Sequence, residues 1–318
     1  MSISRAPVVA VLGASGFIGC NLVFALAKRG YRVKAFDKYP SPIATVLSTL
    51  PLVEVQEGDF FNQGDLRATL EGVNVLFHLV STTLPKISND DPLFDADSNI
   101  CGTLRLLDIA VEQKVDKIIF SSSGGTVYGV PQGVPISENH PTEPICSYGV
   151  SKLAIEKFLA LYHRLHGIKT CSLRLANPYG PLQGTTAEQG VIAVFMGNVL
   201  NNKPIHVCGD GSIIRDFIYI DDIVKAFINV SESDFDCEIY NVGSGIGHTL
   251  NDIINMLNNV INCNISVRYG SSRIFDVPSS ILDITKIRNT IGWSPEITLE
   301  KGLDETWNYI SNGVFHGC

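Results

Sequence analysis

A tyrosine and a lysine four residues apart are the residues of this sequence best suited to chemistry. Tyr148 and Lys152 lie in the run Tyr-Gly-Val-Ser-Lys, at the start of a pattern that predicts a helix over residues 148–166. Residues i and i+4 share a helix face, and an ammonium beside a phenol favours the phenolate. We therefore expect Lys152 to lower the pKa of Tyr148 from its ordinary value of about 10 and make the phenol a general base.

A loop that could hold a dinucleotide lies near the start of the chain. Gly13, Gly16 and Gly19 follow an apolar run that predicts a strand, and they open a predicted helix. Glycines allow the backbone to turn tightly and approach a pyrophosphate, whose charge the helix N-terminus favours. Asp37 ends the next predicted strand, where a carboxylate accepts hydrogen bonds from both ribose hydroxyls and repels a 2′-phosphate. The cofactor predicted from these residues is NAD, although Lys38 weakens the preference over NADP.

The elements around these residues alternate between strand and helix in the first half of the chain. Strands are predicted at residues 8–12, 33–37, 53–56, 75–80, 117–121 and 169–175, and helices at 17–29, 64–71, 92–113 and 148–166. The strands lack two-residue alternation, which is typical of strands buried on both faces. The fold class predicted is α/β: a doubly wound parallel sheet (Rossmann) with a smaller C-terminal α/β substrate lobe. The domains predicted are residues 1–177 and 178–318, with 213–242 a candidate to return to the first.

Composition excludes several other classes of protein. The formal net charge of -8 and the absence of a Lys/Arg block argue against nucleic-acid binding. None of the eight cysteines has metal-ligand spacing, so no metal is expected and the thiols are interpreted as reduced. No apolar run has the roughly 18 residues that a membrane span needs, and the N-terminus does not resemble a signal peptide. We expect a cytoplasmic protein with no membrane partner.

Taken together, the motifs resemble the extended short-chain dehydrogenase/reductase family, and within it the NAD-dependent nucleotide-sugar epimerase/dehydratase group. The resemblance covers nearly the whole chain. Besides the glycine loop and the Tyr148/Lys152 pair, it is carried by the segments at residues 58–59, 78–80, 99–103, 121–129, 174–181, 209–222, 240–243, 273–278 and 282–295.

The resemblance implies a set of ligand contacts. Asp59 would contact the adenine, Lys152 would hold the nicotinamide ribose, and Asn177 would contact the sugar diphosphate that Arg215 and Arg273 grip with their planar guanidinium groups. The full cofactor set implied is Gly13, Ser15, Gly16, Phe17, Ile18, Gly19, Asp37, Lys38, Asp59, Phe60, Leu79, Val80, Ser81, Asn99, Ser121, Tyr148 and Lys152. The substrate set is Ser123, Gly124, Thr126, Asn177, Val191, Arg215, Arg273, Asp276 and Ser280.

The reaction implied is inversion at C4 of a UDP-hexose through a transient 4-keto sugar. Dehydratases of the group carry an Asp-Glu pair where this chain has Gly125-Thr126, which disfavours dehydration. The serine segment is one glycine longer than in many epimerases, so two ways of counting give different positions for the catalytic hydroxyl. Counting from Ser121 selects Ser123, counting back from Tyr128 reaches Gly124, and Thr126 is the alternative to Ser123.

Three further expectations follow from the resemblance. Ser280 is small where a tyrosine closes the pocket in galactose-restricted relatives, so we expect UDP-N-acetylhexosamines to be accepted. The alternative activity is an NAD(P)H-dependent 4-keto nucleotide-sugar (dTDP- or GDP-sugar) reductase with the same Tyr/Lys pair. We also expect a homodimer that pairs through the helices near 92–113 and 148–166.

Overall fold

The fold was derived from a computed structural model, in which residues 7–38, 42–85, 87–185, 190–272 and 277–313 are described. The first half alternates strand and helix, as the sequence predicted. Its elements are β1 (Val8–Leu12), α1 (Phe17–Lys28), β2 (Arg32–Asp37), α2 (Pro42–Leu47), β3 (Val53–Glu57), α3 (Gln63–Leu70), β4 (Val75–His78), α4 (Pro92–Asp95), α5 (Gly102–Glu112), β5 (Lys117–Ser123), α6 (Ser147–His166) and β6 (Lys169–Leu175).

The second half consists of shorter elements. They are β7 (Asn177–Tyr179), α7 (Val191–Leu200), β8 (Ile205–Cys208), β9 (Ile214–Tyr219), α8 (Ile220–Glu232), β10 (Cys237–Val242), β11 (Gly247–Thr249), α9 (Leu250–Ile261), β12 (Val267–Gly270), β13 (Ser279–Ser280), α10 (Thr285–Ile291) and α11 (Leu299–Ser311). The short helix α10 and the small strands around β9 were not predicted from the sequence.

Seven parallel strands form the main sheet, in the order β10-β6-β5-β4-β1-β2-β3. The chain runs from β1 to β2 on one side and later returns to pair β4 with the other side of β1. This reversal is the topological switch point of a doubly wound sheet, where ligands bind beyond the carboxyl ends of the strands. The predicted Rossmann fold class is confirmed.

Alternate residues of each strand pack into separate cores on the two faces of the sheet. Val9 and Val11 face the core that contains α1 and α8, whereas Ala10 and Leu12 face the core that contains α3, α5 and α6. Because both faces are apolar, the strands lack the alternation of a half-exposed sheet. The arrangement leaves the carboxyl edge of the sheet, rather than either face, as the place for a polar site.

The helical run predicted near 92–113 is interrupted. A π-helical segment over Ala96–Cys101 joins α4 to α5. Within it the Ser98 hydroxyl donates to the Phe94 carbonyl at 2.6 Å, and the Asn99 amide donates to the Asp95 carbonyl at 3.1 Å. Side chains that bond these carbonyls compete with the backbone ladder of an α-helix, and π segments occur often at functional sites.

A small sheet in the second half is centred on β9. It has the order β11-β9-β13, and β7 also pairs with β9. Strand β10 and helix α8 pack with the main sheet, β10 by pairing with β6. The exact division of the chain at residue 177 stays a prediction.

A buried ion pair joins α6 to the main sheet. Arg174 on β6 donates through Nε and Nη2 to the two carboxylate oxygens of Glu156 at 3.0 and 2.7 Å, and the Ser122 hydroxyl donates to the same carboxylate. Both ionic side chains are at most 2% exposed. The ion pair therefore has two parallel hydrogen bonds and is shielded from water, unlike ion pairs on the surface.

We expect Glu156→Ala to lower the free energy of unfolding by about 3–5 kcal/mol, because it leaves the Arg174 charge buried without its partner. Urea denaturation measures the change. The matched control is Glu112→Ala, which removes an ion pair whose side chains are 44% and 50% exposed; a loss below about 1 kcal/mol is expected there. Equal losses in the two variants would contradict the assignment.

Candidate active site

The glycine loop turns between β1 and α1 as a dinucleotide-binding loop requires. Gly13 has a φ of +87°, and a Cβ on Gly19 would lie 2.0 Å from the Gly13 carbonyl oxygen. The N–H groups of Gly13 and Ala14 donate to the Phe36 carbonyl at 3.0 and 3.1 Å, which fixes the loop to β2. Helix α1 begins at Phe17 with no side chain capping it, so the N–H groups of its first turn are available to an anion.

Asp37 lies beside this loop at the end of β2. One carboxylate oxygen accepts the Ser15 N–H at 2.8 Å and the other accepts the Lys38 N–H at 2.7 Å. The next strand end contributes Asp59, which is 3.7 Å from the Lys38 ammonium. Lys38, Asp59 and their neighbours Glu57 and Gly58 line an open cavity of about 430 Å³. These residues fit the adenosine half of a dinucleotide.

The end of β4 continues the same edge of the sheet. A Cβ on Gly13 would lie 3.1 Å from the Val80 nitrogen and 3.2 Å from the Leu79 carbonyl carbon, so this strand end is packed against the glycine loop. The Ser81 hydroxyl donates to the Thr83 carbonyl at 3.2 Å. Phe60 is a predicted cofactor contact, but its side chain is buried against His78, with ring centroids 5.6 Å apart.

Lys152 reaches the centre of this edge from α6. Its side chain is buried, and its ammonium donates to the Ser121 carbonyl at 2.9 Å. The same nitrogen lies 5.4 Å from the centre of the Tyr148 ring and 4.7 Å from that of Phe120. Burial lowers the pKa of Lys152 to about 8, although the carboxylates of Asp95 and Glu156 act to raise it.

The pKa of Tyr148 shifts in the direction opposite to the one expected. Burial of the phenol raises its pKa well above the ordinary value, the Cys146 thiol and Asp95 raise it further, and a hydrogen bond with Ser81 lowers it. The expectation that Lys152 lowers the pKa of Tyr148 is therefore wrong for the protein alone. The physical reason is that burial disfavours the charged phenolate, while the Lys152 ammonium donates its hydrogen bond to the Ser121 carbonyl.

The positions considered for the catalytic hydroxyl, Ser123 and Thr126, and Gly124 between them, have different surroundings. Ser123 is the last residue of β5, and its carbonyl accepts the N–H groups of Thr126 and Val127 at 3.3 and 3.1 Å. Its hydroxyl makes no hydrogen bond to the described residues. A Cβ on Gly124 would lie 2.6 Å from the Leu282 side chain, which explains why no larger residue occupies that position. The Thr126 hydroxyl is buried and has no hydrogen-bond partner within the described residues.

The predicted substrate residues of the second half lie around β9. Asn177 on β7 donates its amide to the Asp216 carbonyl at 2.8 Å, and Arg215 donates to the Val277 carbonyl at 2.7 Å. Ser280 is buried and pairs with Arg215 across β13 and β9. Val191 is the first residue of α7. Arg273 and Asp276 lie outside the described residues.

Two buried acids of this region were missed by the sequence analysis. Asp95 accepts hydrogen bonds from two serines on one face of the Tyr148 helix, Ser147 and Ser151. Asp216 accepts the N–H groups of Ser244 and Gly245 at 2.8 and 3.1 Å and so fixes the turn after β10 beside Arg215. One indication of a partner for this helix is present in the sequence. Ser147 and Ser151 directly precede Tyr148 and Lys152, and these two serines share a helix face.

No group of three or more His, Cys, Asp or Glu side chains that could hold a metal ion is found among the described residues. Within the same ranges, no helix is long and apolar enough to cross a bilayer.

Comparison with known proteins agrees with the fold and the loop. Residues 9–243 match the model of the NAD dependent epimerase/dehydratase family. A putative UDP-glucose 4-epimerase of Methanocaldococcus jannaschii is 33% identical over 305 residues, which cover 96% of this chain and 98% of that protein. The chain belongs to the NAD-dependent epimerase/dehydratase family, whose cofactor is the one that the glycine loop and Asp37 predicted.

Solved structures show the same similarity. UDP-glucose 4-epimerase of Thermotoga maritima, crystallised with UDP-glucose, aligns with a TM-score of 0.91 at 35% identity and covers 97% of this chain and 100% of its own. UDP-N-acetylglucosamine 4-epimerase of Methanobrevibacter ruminantium, in complex with UDP-N-acetylmuramic acid, aligns with a TM-score of 0.91 at 29% identity and covers 97% and 99%.

We expect Gly19→Ala to weaken both the fold and NAD retention, because its Cβ would lie 2.0 Å from the Gly13 carbonyl oxygen and force α1 away from the loop. The cost expected for such overpacking is about 1–3 kcal/mol. Thermal unfolding and the NAD content of the purified protein measure it. Gly133→Ala is the control, since its Cβ meets nothing within 4 Å. Wild-type NAD content in Gly19→Ala would contradict the role given to the loop.

Proposed function

We propose that the protein is an NAD-dependent 4-epimerase of UDP-hexoses that inverts C4 through a transient 4-keto sugar. The observation that carries the proposal is the position of the Tyr148/Lys152 pair. Lys152 is bonded to the carboxyl end of β5, while the glycine loop packs against the end of β4, the adjacent strand. A phenol, an ammonium and a dinucleotide site therefore meet at one edge of the sheet.

Tyr148 and Lys152 have different roles in the proposed reaction. Tyr148 accepts the proton of the sugar 4-hydroxyl and later returns it to the oxygen of the inverted product. NAD held by the glycine loop and Asp37 would supply the acceptor and donor of the C4 hydride, and its oxidised form would add positive charge to the site. That charge matters because burial alone keeps the Tyr148 phenol protonated. Lys152 adds a second positive charge and would hold the nicotinamide ribose of bound NAD.

The substrate is held by groups of the second half of the chain. We assign the sugar diphosphate to Asn177, Arg215 and Arg273, since guanidinium groups bind phosphate through paired hydrogen bonds. Asp276 and Val191 complete the proposed pocket. Ser280 is small and buried beside Arg215, and the Methanobrevibacter relative acts on an N-acetylated sugar. We therefore propose that this protein accepts UDP-N-acetylhexosamines as well as UDP-hexoses.

We also infer a homodimer that pairs through α4–α6. Leu161 and Leu165 are four residues apart on α6 and are 42% and 63% exposed, and Leu93 on α4 is 80% exposed. Large apolar side chains exposed at helical spacing are typical of a surface that meets a partner.

The direct test is incubation of the purified protein with UDP-glucose, UDP-N-acetylglucosamine, UDP-glucuronate and dTDP-glucose, without added cofactor, followed by NMR of the sugar C4. We expect C4 inversion of the UDP-sugars, including the acetylated one, because bound NAD is regenerated in each turnover. Strict preference for the plain sugar would contradict the role given to Ser280. Reduction of a 4-keto sugar that requires added NAD(P)H, without inversion, would instead identify the reductase.

Three variants test the assigned acid-base groups. We expect Tyr148→Phe to lower kcat by roughly 10²- to 10⁴-fold, because it removes the proton acceptor. Ser123→Ala should lower kcat by roughly 10- to 100-fold through loss of one hydrogen bond to the reacting hydroxyl, with Thr126→Ala close to wild type. If kcat falls more in Thr126→Ala than in Ser123→Ala, the catalytic hydroxyl is that of Thr126. Full activity of Tyr148→Phe would contradict the mechanism.

A further inference from the structure

Asp95, at the end of α4, is a buried acid with an unusual set of partners. Its side chain is 0% exposed, and it accepts four hydrogen bonds from neutral groups. The Thr83 hydroxyl and the Asn99 amide donate to Oδ1, the latter at 3.1 Å. The Ser147 and Ser151 hydroxyls donate to Oδ2 at 2.8 and 2.6 Å. No salt bridge joins Asp95 to a cation among the described residues.

These partners connect three parts of the cofactor edge. Thr83 belongs to the loop after β4, Asn99 to the π-helical segment, and the two serines to the first turns of α6. Ser147 and Ser151 directly precede Tyr148 and Lys152, so the carboxylate bonds the helix at the residue before each member of the pair. A group that bonds positions i and i+4 fixes the rotation of a helix about its axis.

The same segment also supplies the partners that the start of α6 needs. The Ser147 N–H donates to the Asn89 side chain at 2.9 Å, and the Tyr148 N–H donates to the Ser88 hydroxyl at 3.0 Å. These are first-turn N–H groups, which have no partner within their own helix. The α6 N-terminus is thus bonded to residues 88–95 through both its backbone and its side chains, and a carboxylate lies where the helix dipole favours negative charge.

We propose that Asp95 is a positioning residue of the active site, whose carboxylate sets the rotation of α6 through Ser147 and Ser151 and places negative charge beside the helix turn that carries Lys152. The inference rests on the proposed function, in that Tyr148 and Lys152 are taken as the reacting pair. Removal of the Asp95 charge and removal of its hydrogen bonds have separate consequences.

Several titratable groups surround the Lys152 ammonium. On its own helix these are Tyr148 and Glu156, and Glu156 is paired with Arg174. From other elements they are Asp95 on α4 and the neutral His78 at the end of β4, whose pKa burial lowers to about 3. Burial lowers the pKa of Lys152 to about 8, and Asp95 is the largest of the causes that raise it. Loss of the Asp95 charge therefore lowers the pKa of Lys152 further.

The test of the charge is Asp95→Asn. The asparagine oxygen can accept from Thr83 and Asn99, and its amide can donate to the serine hydroxyls, which also accept. We expect ¹³Cε-lysine NMR, with the Lys152 signal assigned by its absence in Lys152→Met, to show a pKa lower than in the wild type by roughly half a unit or more. The alkaline limb of kcat should move to lower pH with it, since activity is lost as Lys152 deprotonates.

The test of position is Ser147→Ala/Ser151→Ala, which removes two hydrogen bonds and keeps the charge. We expect kcat to fall about 10- to 100-fold, as for a misplaced reacting group, with the Lys152 pKa moving less than in Asp95→Asn. An unchanged Lys152 titration in Asp95→Asn, or wild-type kcat in the double serine variant, would overturn the proposal. The double variant still decides the matter if Asp95→Asn does not fold by circular dichroism.

The two proposals fail separately. The NMR titration needs neither sugar nor turnover, so a shifted Lys152 pKa in a protein that inverts no UDP-sugar would reject the epimerase assignment and retain the charge effect of Asp95. If the wild type inverts C4 but the Lys152 pKa is unchanged in Asp95→Asn, the epimerase assignment is retained and the charge effect of Asp95 is rejected.

Discussion

The rest of the site depends on the hydrogen bond between the Lys152 ammonium and the Ser121 carbonyl, 2.9 Å apart. Burying an ammonium is costly, and the structure offsets the cost with a carbonyl at the end of β5, the ring of Phe120 and two nearby carboxylates. Because the carbonyl belongs to the sheet and the ammonium to α6, this bond fixes the helix against the edge where the strands end. Tyr148, one turn earlier on α6, is placed by the same bond.

Burial has a second effect, on the proton that the reaction must move. It raises the pKa of the Tyr148 phenol, so the isolated protein holds this group in its acid form. A site of this kind becomes a base only when positive charge is brought beside the phenol. This dependence would couple the chemistry to the presence of oxidised cofactor. The two nearby charges act in opposite directions on the pKa of the phenol, because the Asp95 carboxylate raises it and the Lys152 ammonium favours loss of the proton.

Short-range patterns predicted the parts of the fold that depend on local sequence. The strands at residues 8–12, 33–37 and 169–175 and the glycine loop were evident because apolar runs and glycines act through neighbouring residues. The small sheet around β9 was not predicted, because its strands have few residues and are defined by pairing with strands that are distant in the sequence.

The parts of the site that the sequence did not reveal depend on contacts between distant residues. The hydrogen bonds of Asp95 with Ser147 and Ser151 span 52 and 56 positions, which no local pattern reveals. The direction of the Tyr148 pKa shift was mispredicted for a similar reason. The spacing of Tyr148 and Lys152 shows that a positive charge is near the phenol, but it does not show how deeply the phenol is buried.

The central claim is that one hydride leaves C4 of the sugar and returns to the same carbon from the other side, while Tyr148 moves the proton. Deuterium placed at C4 of UDP-glucose tests it most directly, with the product examined by NMR and mass spectrometry. The account predicts UDP-galactose that retains the deuterium at an inverted C4, with no label lost to water. Inverted product without the label, or label exchange without inversion, would contradict it.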